Sequence, residues 1–325
     1  MDKMLKKRIL FLLLPIVFGL VGLSCSINKM AINAVSNALT GEGSSDVFTG
    51  DTDPQLVGDA LPFAIKMYES LLAENPNHQG LLLTTGSLFI MYANIYVQGP
   101  ADMLPPEAWE ERDKAMERAK KLYVRGTDIL YSALEKKYPG FGAARVQDGS
   151  LEKILKKCKK DDTGLLYWTV AGGLSAYSAN VFDFDLGARI PELSAMIKRA
   201  YELDPDFGGA TLDSFFVLFY ASLPEVLGGN RKLAEDHFEK ALKKNNGNSA
   251  GLYVSYAQSL CVPTQDYDGD YDAFKDNLEK ALAVDVDADP AMRLENIINQ
   301  RKARFLLDTA YLYFSFLPAP DYYDY

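Results

Sequence analysis

Residues 231–246 read RKLAEDHFEKALKKNN, and this stretch decides how the rest of the chain is interpreted. Ala234, Phe238 and Ala241 recur at steps of four and three, so small, large and small apolar side chains share one face of a helix. The preceding Gly-Gly-Asn at 228–230 ends whatever element comes before it. A stripe of this kind predicts a helix that is pressed closely against a second helix.

The same spacing recurs along the chain, with a proline or a substitute five positions after the last member, as in the second helices of tetratricopeptide (TPR) repeats. The further second-helix sets are Ala64, Tyr68, Leu71 and Pro76; Thr127, Tyr131, Leu134 and Pro139; Leu193, Ile197, Ala200 and Pro205; and Phe274, Leu278, Ala281 and Val286. The matching first-helix sets are Leu82, Thr85, Gly86 and Phe89; Trp168, Ala171, Gly172 and Ser175; Leu212, Phe215, Phe216 and Phe219; and Ser249, Leu252, Tyr253 and Tyr256.

These sets lie farther apart than the TPR period of about 34 residues. We therefore predict an all-α fold: an irregular TPR-like superhelix of helical hairpins with long insertions, capped by a C-terminal helix over 290–316. Glycine inside a helix costs about 1 kcal/mol relative to alanine. Gly86 and Gly172 are accordingly expected where two helix backbones approach closely.

The composition limits the functional classes. The chain has 325 residues, of which 48% are hydrophobic, so it is long and apolar enough for a stacked array. Its net charge of −10 argues against nucleic acid as a partner. Two histidines and three cysteines argue against a His/Cys metal centre or a disulfide framework, and no cofactor is predicted.

The N-terminus has the features of a secretion signal. A basic head is followed by an apolar run at 9–23, which at 15 residues is shorter than the roughly 20 needed to span a membrane. The run ends in Leu-Val-Gly-Leu-Ser-Cys, which predicts a lipoprotein signal peptide over 1–24 and lipidation of Cys25. The alternative is an ordinary signal peptide with an incidental cysteine. Lipidation would anchor the protein to a bacterial membrane from the periplasmic side.

The remaining divisions follow from turn residues and periodicity. Residues 25–53 are predicted to form a tether, with a short helix at 27–39 and a loop at 40–53. The helical domain is predicted over 54–317, and the tail over 318–325 is predicted to be flexible. Within the domain we predict a proline-rich loop at 99–106 and one long helix over 106–138. A short amphipathic helix is predicted within 140–163, packed on the array or, alternatively, docked on a membrane.

First helices of such arrays line the concave face with the positions between their packing residues. The predicted concave-face or ligand-channel residues are Leu83, Ser87, Met91, Thr169, Gly173, Tyr177, Asp213, Val217, Tyr220, Val254 and Gln258. Only Asp213 among them is charged. This lining suits a hydrophobic ligand, and it equally suits burial of the face by the C-terminal helix.

Candidate chemical motifs are weak. The alternating acidic residues from Asp266 to Asp272 suggest a calcium loop, but Tyr271 and Asn277 stand where an EF-hand needs glycine and glutamate, so a solvated loop is favoured. His237 is predicted on a polar helix face with no triad partner, and His78 as a helix cap. A disulfide between the other two cysteines, at 158 and 261, is a minor alternative.

At this point the order of motifs resembles a known family. The residues that carry the resemblance are Leu166-Tyr167-Trp168, the run from Leu203 to Ala210, Gly228-Gly229 before Ala234 and His237-Phe238, and Arg293-Leu294-Glu295-Asn296 leading to Ala303. Together with the early insertions and the lipobox, they resemble the TatT family, TPR lipoproteins associated with TRAP transporters, over roughly residues 54–316.

The resemblance implies a periplasmic, membrane-tethered helical protein that is not an enzyme. It implies assembly, as a homotrimer, and binding to the periplasmic substrate-binding protein of a TRAP transporter. It also implies a channel through each protomer as a path for a small organic ligand. The alternatives are a general TPR scaffold lipoprotein for envelope assembly and, less favoured for lack of a catalytic set, an envelope enzyme. A neighbouring gene for a TRAP binding protein would distinguish the first from the second.

Overall fold

The structure, a computed structural model, describes residues 33–41, 46–147, 149–264 and 267–319. Within these ranges the chain contains no β-strand, only an isolated bridge between Thr264 and Tyr267, so the all-α prediction is confirmed. The α-helices in chain order are α1 (33–39), α2 (Asp46–Thr49), α3 (Pro54–Glu74), α4 (Gln79–Tyr92), α5 (Gly99–Asp102), α6 (Trp109–Lys137), α7 (Phe141–Ala144), α8 (Ser150–Leu155), α9 (Thr163–Ala179), α10 (Phe184–Gly187), α11 (Ile190–Leu203), α12 (Thr211–Ser222), α13 (Arg231–Lys244), α14 (Ala250–Tyr256), α15 (Tyr271–Ala283) and α16 (Arg293–Asp308).

The long helices pack in series. Helix α3 packs on α4, α4 on α6, α6 on α9 and α9 on α11, while α12 packs on α13. One apolar core runs through α4, α6, α9, α11 and α12, and a second core joins α14, α15 and α16. Polar side chains begin several helices by accepting backbone N–H bonds: Asp53 precedes α3, and His78 precedes α4 as predicted.

The two ends of the series meet. Leu294 of α16 shares a buried cluster with Val57 and Leu61 of α3. Nearby, the Arg293 guanidinium donates to the Gly50 carbonyl at 2.9 Å. Asn296 fixes the other side of α16, since its Oδ1 accepts from the first backbone N–H of α14 at 2.9 Å. The series of helices therefore returns on itself where α16 meets α3, and we call this arrangement the ring. That its hairpins form a TPR-like superhelix stays a prediction.

Three glycines lie where α4, α6 and α9 cross. A Cβ on Gly126 would stand 2.7 Å from the Gly86 carbonyl oxygen, and a Cβ on Gly86 would stand 2.9 Å from the Gly126 carbonyl oxygen. A Cβ on Gly172 would meet Thr127 Oγ1 at 2.4 Å. The expectation that Gly86 and Gly172 mark close approach is confirmed, because only residues without Cβ fit between these helices.

The predicted loop at 99–106 is partly wrong. The polypeptide continues from α4 through a π-helical segment, Ala93–Gln98, into α5, so it turns only after Asp102. Pro100 is the second residue of α5 and directly follows the π-helical segment. The stretch Gln79–Asp102 is long and apolar enough to cross a membrane, but 56% of its most apolar window is buried inside the protein. It is a core helix.

Other predicted elements differ at their ends. The long helix is confirmed as α6 after a 3₁₀ turn at Pro106–Ala108, and the amphipathic helix is confirmed as α8. The predicted loop at 40–53 contains α2, which packs against α16. The C-terminal helix ends at Asp308 instead of 316, and a 3₁₀ turn at Ala310–Leu312 follows. The signal peptide, Cys25, and residues 320–325 of the tail lie outside the described residues.

Candidate functional site

Helix α16 has three different faces. Ala303 and Leu306 pack in the core shared with α14 and α15, and Leu294 packs against α3. The third face carries Glu295, Asn299 and Lys302, which are spaced by four and three residues and so lie on one side of the helix. Burial by surrounding protein shifts the pKa values of Glu295 and Lys302 on this face, from which we infer that it is directed into the ring. We call the interior space the lumen, defined by Asp102, Tyr167, Gln258, Glu295, Asn299, Lys302 and Tyr313.

We infer from Glu295 that the lumen is an interior space. Its side chain is exposed, yet burial by surrounding protein raises the pKa of its carboxyl group. Both statements hold together when a side chain projects into a cavity that water can enter. A Cβ on Gly251 of α14 would stand 2.9 Å from Glu295 Oε1, so α14 passes directly beside this carboxylate.

An aromatic wall faces Glu295 from α9. Burial raises the pKa of the Tyr167 hydroxyl, and the negative charge of Glu295 raises it further, which places the two side chains in electrostatic reach. The Tyr167 ring lies 5.2 Å from the Trp168 ring and 5.7 Å from the rings of Phe207 and Phe215, centroid to centroid. All four aromatic side chains are partly exposed. Each of them therefore keeps part of its ring surface accessible to solvent.

The other end of the lumen carries opposite charges. Burial lowers the pKa of the Lys302 ammonium group, and the negative charge of Asp102 opposes this shift. Burial raises the pKa of the Asp102 carboxyl group, and the positive charges of Lys302 and Arg112 oppose that shift. Burial and Asp102 raise the pKa of Tyr313, whereas Arg112 and a hydrogen bond with Gln258 lower it. One polar region therefore contains Lys302 of α16, Asp102 of α5 and Gln258 of the π-helical segment that continues α14.

The structure divides the predicted concave-face residues into two groups. Ser87, Thr169, Gly173, Asp213, Val217 and Val254 are buried. Leu83, Met91, Tyr177, Tyr220 and Gln258 are partly exposed. Gln258 reaches the lumen through Tyr313, and Tyr220 stacks beside His237. That the whole set forms a ligand path stays a prediction.

Asp213 organises a buried polar cluster between α11, α12 and α13. Its Oδ1 receives hydrogen bonds from the Tyr201 hydroxyl at 3.0 Å and from His237 Nδ1 at 2.7 Å, and Lys244 Nζ lies 2.8 Å from Oδ2. Burial raises the pKa of Asp213, but these three donors outweigh burial and leave the pKa lowered. The prediction that His237 lies on a polar helix face is wrong. Its ring is buried and stacks on Phe216, 4.7 Å between centroids.

The other candidate motifs have structural explanations. Cys158 and Cys261 are both buried free thiols, so the minor disulfide alternative is wrong. Asp266 lies outside the described residues, while Asp270 of the same acidic run caps α15 by accepting from Ala273 N at 2.9 Å. Among the described residues, no group of three His, Cys, Asp or Glu side chains is placed to hold a metal ion.

Sequence reasoning missed the lumen residues Asp102, Tyr167, Glu295 and Lys302 as a site. Tyr167 and Glu295 entered only through the family resemblance, and neither Asp102 nor Lys302 was singled out. A usable signal was present in their spacing, because Glu295, Asn299 and Lys302 recur at steps of four and three and so share one side of the last helix.

The described residues define the class as an all-α protein built from helices packed in series. The family model TAtT, described as TRAP transporter T-component, matches residues 50–314, and the chain belongs to this family. An "Uncharacterized protein" of Treponema pallidum (strain Nichols) is 35% identical over 297 residues, which cover 87% of this chain and 90% of that protein. The resemblance to the TatT family is confirmed, and membership indicates a role associated with TRAP transport.

Proposed function

We propose that this chain is a periplasmic lipoprotein that binds the substrate-binding subunit of a TRAP transporter and assists the uptake of a small organic ligand. The observation that carries the proposal is the family match over residues 50–314, whose description names a transporter component and no reaction. The lumen supplies the second support, because a ring of helices with partly exposed aromatic and charged side chains inside offers a place for a ligand.

The same proposal includes the anchor and the assembly. Cys25 at the end of the signal-like run would carry the lipid and hold the ring at the membrane surface. The ring would assemble as a trimer and its hairpins would be TPR-like, as the resemblance implies. Seven residues separate Cys25 from α1, which is hydrogen-bonded to the rest of the protein through Asn33 and Asn37, so the lipid would hold the ring close to the membrane surface.

Binding to the partner is tested with the full lipidated chain in detergent and the purified substrate-binding subunit of a TRAP transporter from the same organism. Isothermal titration at about 20 µM protein would detect an interface of the weak, transient class. The matched control is a periplasmic binding protein of an unrelated transporter. The proposal expects heat of binding with the TRAP subunit alone. Equal responses to both proteins, or none to either, would refute it.

The ligand path needs a test within the lumen. Val217 and Val254 are 0% and 2% exposed, so an arginine there would be a buried unpaired charge and would unfold the array. Gln258 is partly exposed and faces Tyr313, so Gln258→Trp would narrow the lumen from a position with room for the change. We expect this variant to slow ligand transfer to the substrate-binding subunit while its helical circular dichroism stays unchanged. An unaltered transfer rate would remove this part of the lumen from the path.

A further inference from the structure

Helix α1 is fixed to the rest of the protein by one of its faces. Asn75 Nδ2 donates to Asn33 Oδ1 at 3.0 Å, and the Leu39 carbonyl accepts from the Tyr68 hydroxyl at 2.7 Å. Ser36, which lies between these contacts along the helix, is fully buried. The hydrogen bonds therefore determine which face of α1 turns towards the C-terminal end of α3.

The opposite face of α1 is apolar and exposed. Ala34 and Ala38 each lie two residues from Ser36, which places them about 200° from it around the helix. Both alanines are exposed, and Val35 beside them is 49% exposed. A helix on the surface of a globular protein usually turns its apolar stripe towards the core. On α1 the apolar residues face outward instead.

The sequence extends this apolar face towards the N-terminus. Ile27, Met30 and Ala31 lie outside the described residues, but the helical period of 3.6 residues places them on the same side as the exposed residues of α1. The extended face begins two residues after Cys25, the predicted site of lipidation. We call it the outward stripe, which consists of Ile27, Met30, Ala31, Ala34, Val35 and Ala38.

A lipid bilayer fits the outward stripe better than a protein partner does. The two residues from Cys25 to Ile27 span at most about 7 Å, so an acyl chain on Cys25 would bring the start of the stripe to the lipid headgroups. Residues 25–40 contain one lysine and no acidic residue, although the whole chain has a net charge of −10. Anionic headgroups would therefore not repel this segment, whereas they repel the acidic protein as a whole.

We propose that the outward stripe lies in the interface of a lipid bilayer and orients the ring on the membrane. The end of the ring that carries α1 and the C-terminal end of α3 would then face the bilayer. This inference rests on the lipid anchor in the proposed function, and it adds the surface through which the anchored protein meets the membrane.

Fluorescence quenching by lipids tests this orientation. The full lipidated chain is reconstituted in vesicles of phosphatidylethanolamine and phosphatidylglycerol, with an NBD fluorophore attached to the thiol of Val35→Cys. The buried free thiols Cys158 and Cys261 are replaced by alanine in all samples. The matched control carries the fluorophore at Val226→Cys, which is 92% exposed and lies in the 3₁₀ turn between α12 and α13.

The label at position 35 should report contact with lipid. Because an interfacial helix lies about 5–10 Å into the boundary between headgroups and acyl chains, nitroxides on shallow acyl positions should quench this label at least about twofold more than the label at position 226. Emission from position 35 should also lie at shorter wavelength, as expected in a less polar environment.

Two charges on the outward stripe should remove this contact. Ala34→Glu combined with Ala38→Glu alters positions that are exposed in the structure, so the fold tolerates the change. Quenching at position 35 should then fall to the value at position 226. The matched control, Ala188→Glu combined with Ala283→Glu, places the same charges on exposed alanines elsewhere and should leave quenching unchanged. Circular dichroism confirms that each variant is folded.

Equal quenching at the two labelled positions, or quenching at position 35 that persists with both glutamates, would overturn the inference. A blue-shifted label at position 35 that the lipid nitroxides do not quench would assign the stripe to another protein or to a second copy, and would overturn it as well. Incorporation of labelled palmitate separates these results from a failure of the anchor. An acylated chain without quenching refutes only the docking, whereas a chain that takes up no palmitate refutes the anchor and the docking that rests on it.

Discussion

Replacing Gly126 with alanine measures how closely the helices of the ring approach. The added Cβ would stand 2.7 Å from the Gly86 carbonyl oxygen, 3.0 Å from Phe89 Cβ and 3.1 Å from Ile90 Cγ1. The closest of these atoms is backbone in the middle of α4, so no side-chain rotation relieves the contact. Helix α4 would have to move away from α6, against which it packs.

The magnitude is a balance of two effects. Alanine is favoured over glycine by about 1 kcal/mol within a helix, while overpacking a core costs about 1–3 kcal/mol. Because the nearest contact is a backbone oxygen well inside van der Waals distance, the upper part of that range applies. The net loss of unfolding free energy is then about 1–2 kcal/mol. A chain of this size loses about 2 °C of melting temperature per kcal/mol.

Thermal melts followed by far-UV circular dichroism check this value. The control is Gly142→Ala in α7, where the added Cβ meets only Glu135 Oε2 at 3.4 Å. This variant should melt at the wild-type temperature or slightly above it. If Gly126→Ala is as stable as the control, the helices do not approach as closely as described and the glycine expectation fails.

Four further changes test other parts of the molecule. Asp213→Ala removes the carboxylate that accepts from Tyr201, His237 and Lys244. Because the Lys244 side chain is 26% exposed, we expect the free energy of unfolding measured in urea to fall by about 3 kcal/mol, near the low end for broken buried pairs. A loss below about 1 kcal/mol would show that the cluster is not desolvated. Leu294→Asp places a charge where the ends of the ring meet, and should speed hydrogen exchange in α3 and α16 but not in α9; uniform protection would contradict ring closure. Burial raises the pKa of Glu295, so the stability of the wild-type protein should fall as the pH rises from the ordinary carboxyl pKa through the raised one. Glu295→Gln should lose this pH dependence and should melt at a higher temperature than the wild type above that pH range. If the melting temperatures of the two proteins change with pH in parallel, the expectation is contradicted. Cys25→Ser should abolish incorporation of labelled palmitate into the protein, and unchanged labelling of this variant would exclude Cys25 as the lipid anchor.

The buried residues of a helix could be predicted from the sequence where a single neighbouring helix covers a single stripe of its surface. Leu82, Thr85, Gly86 and Phe89 are all buried as their spacing indicated. The same reasoning failed on α9, where the predicted packing residue Trp168 is partly exposed and the predicted concave residue Thr169 is fully buried. Helix α9 packs against both α6 and α11, so two neighbours bury more of its circumference than a single stripe describes.

The lumen could not be predicted because it depends on contacts between distant parts of the chain. Which face of α16 turns inward is set by the packing of Leu294 against α3, more than 200 residues earlier. His237 illustrates the same limit. Its helix gives it a polar face, but α12 supplies Asp213 and Phe216, which turn that position into a buried hydrogen-bonded site.

The most direct test of the proposed role is the complex itself. The full lipidated chain and the TRAP substrate-binding subunit are mixed in detergent and examined by analytical ultracentrifugation. We expect a species heavier than either protein, which disappears when the subunit is replaced by an unrelated periplasmic binding protein. Two independent boundaries at about 50 µM of each folded protein, where even weak encounters are populated, would contradict the assignment of this ring as the partner of a TRAP transporter.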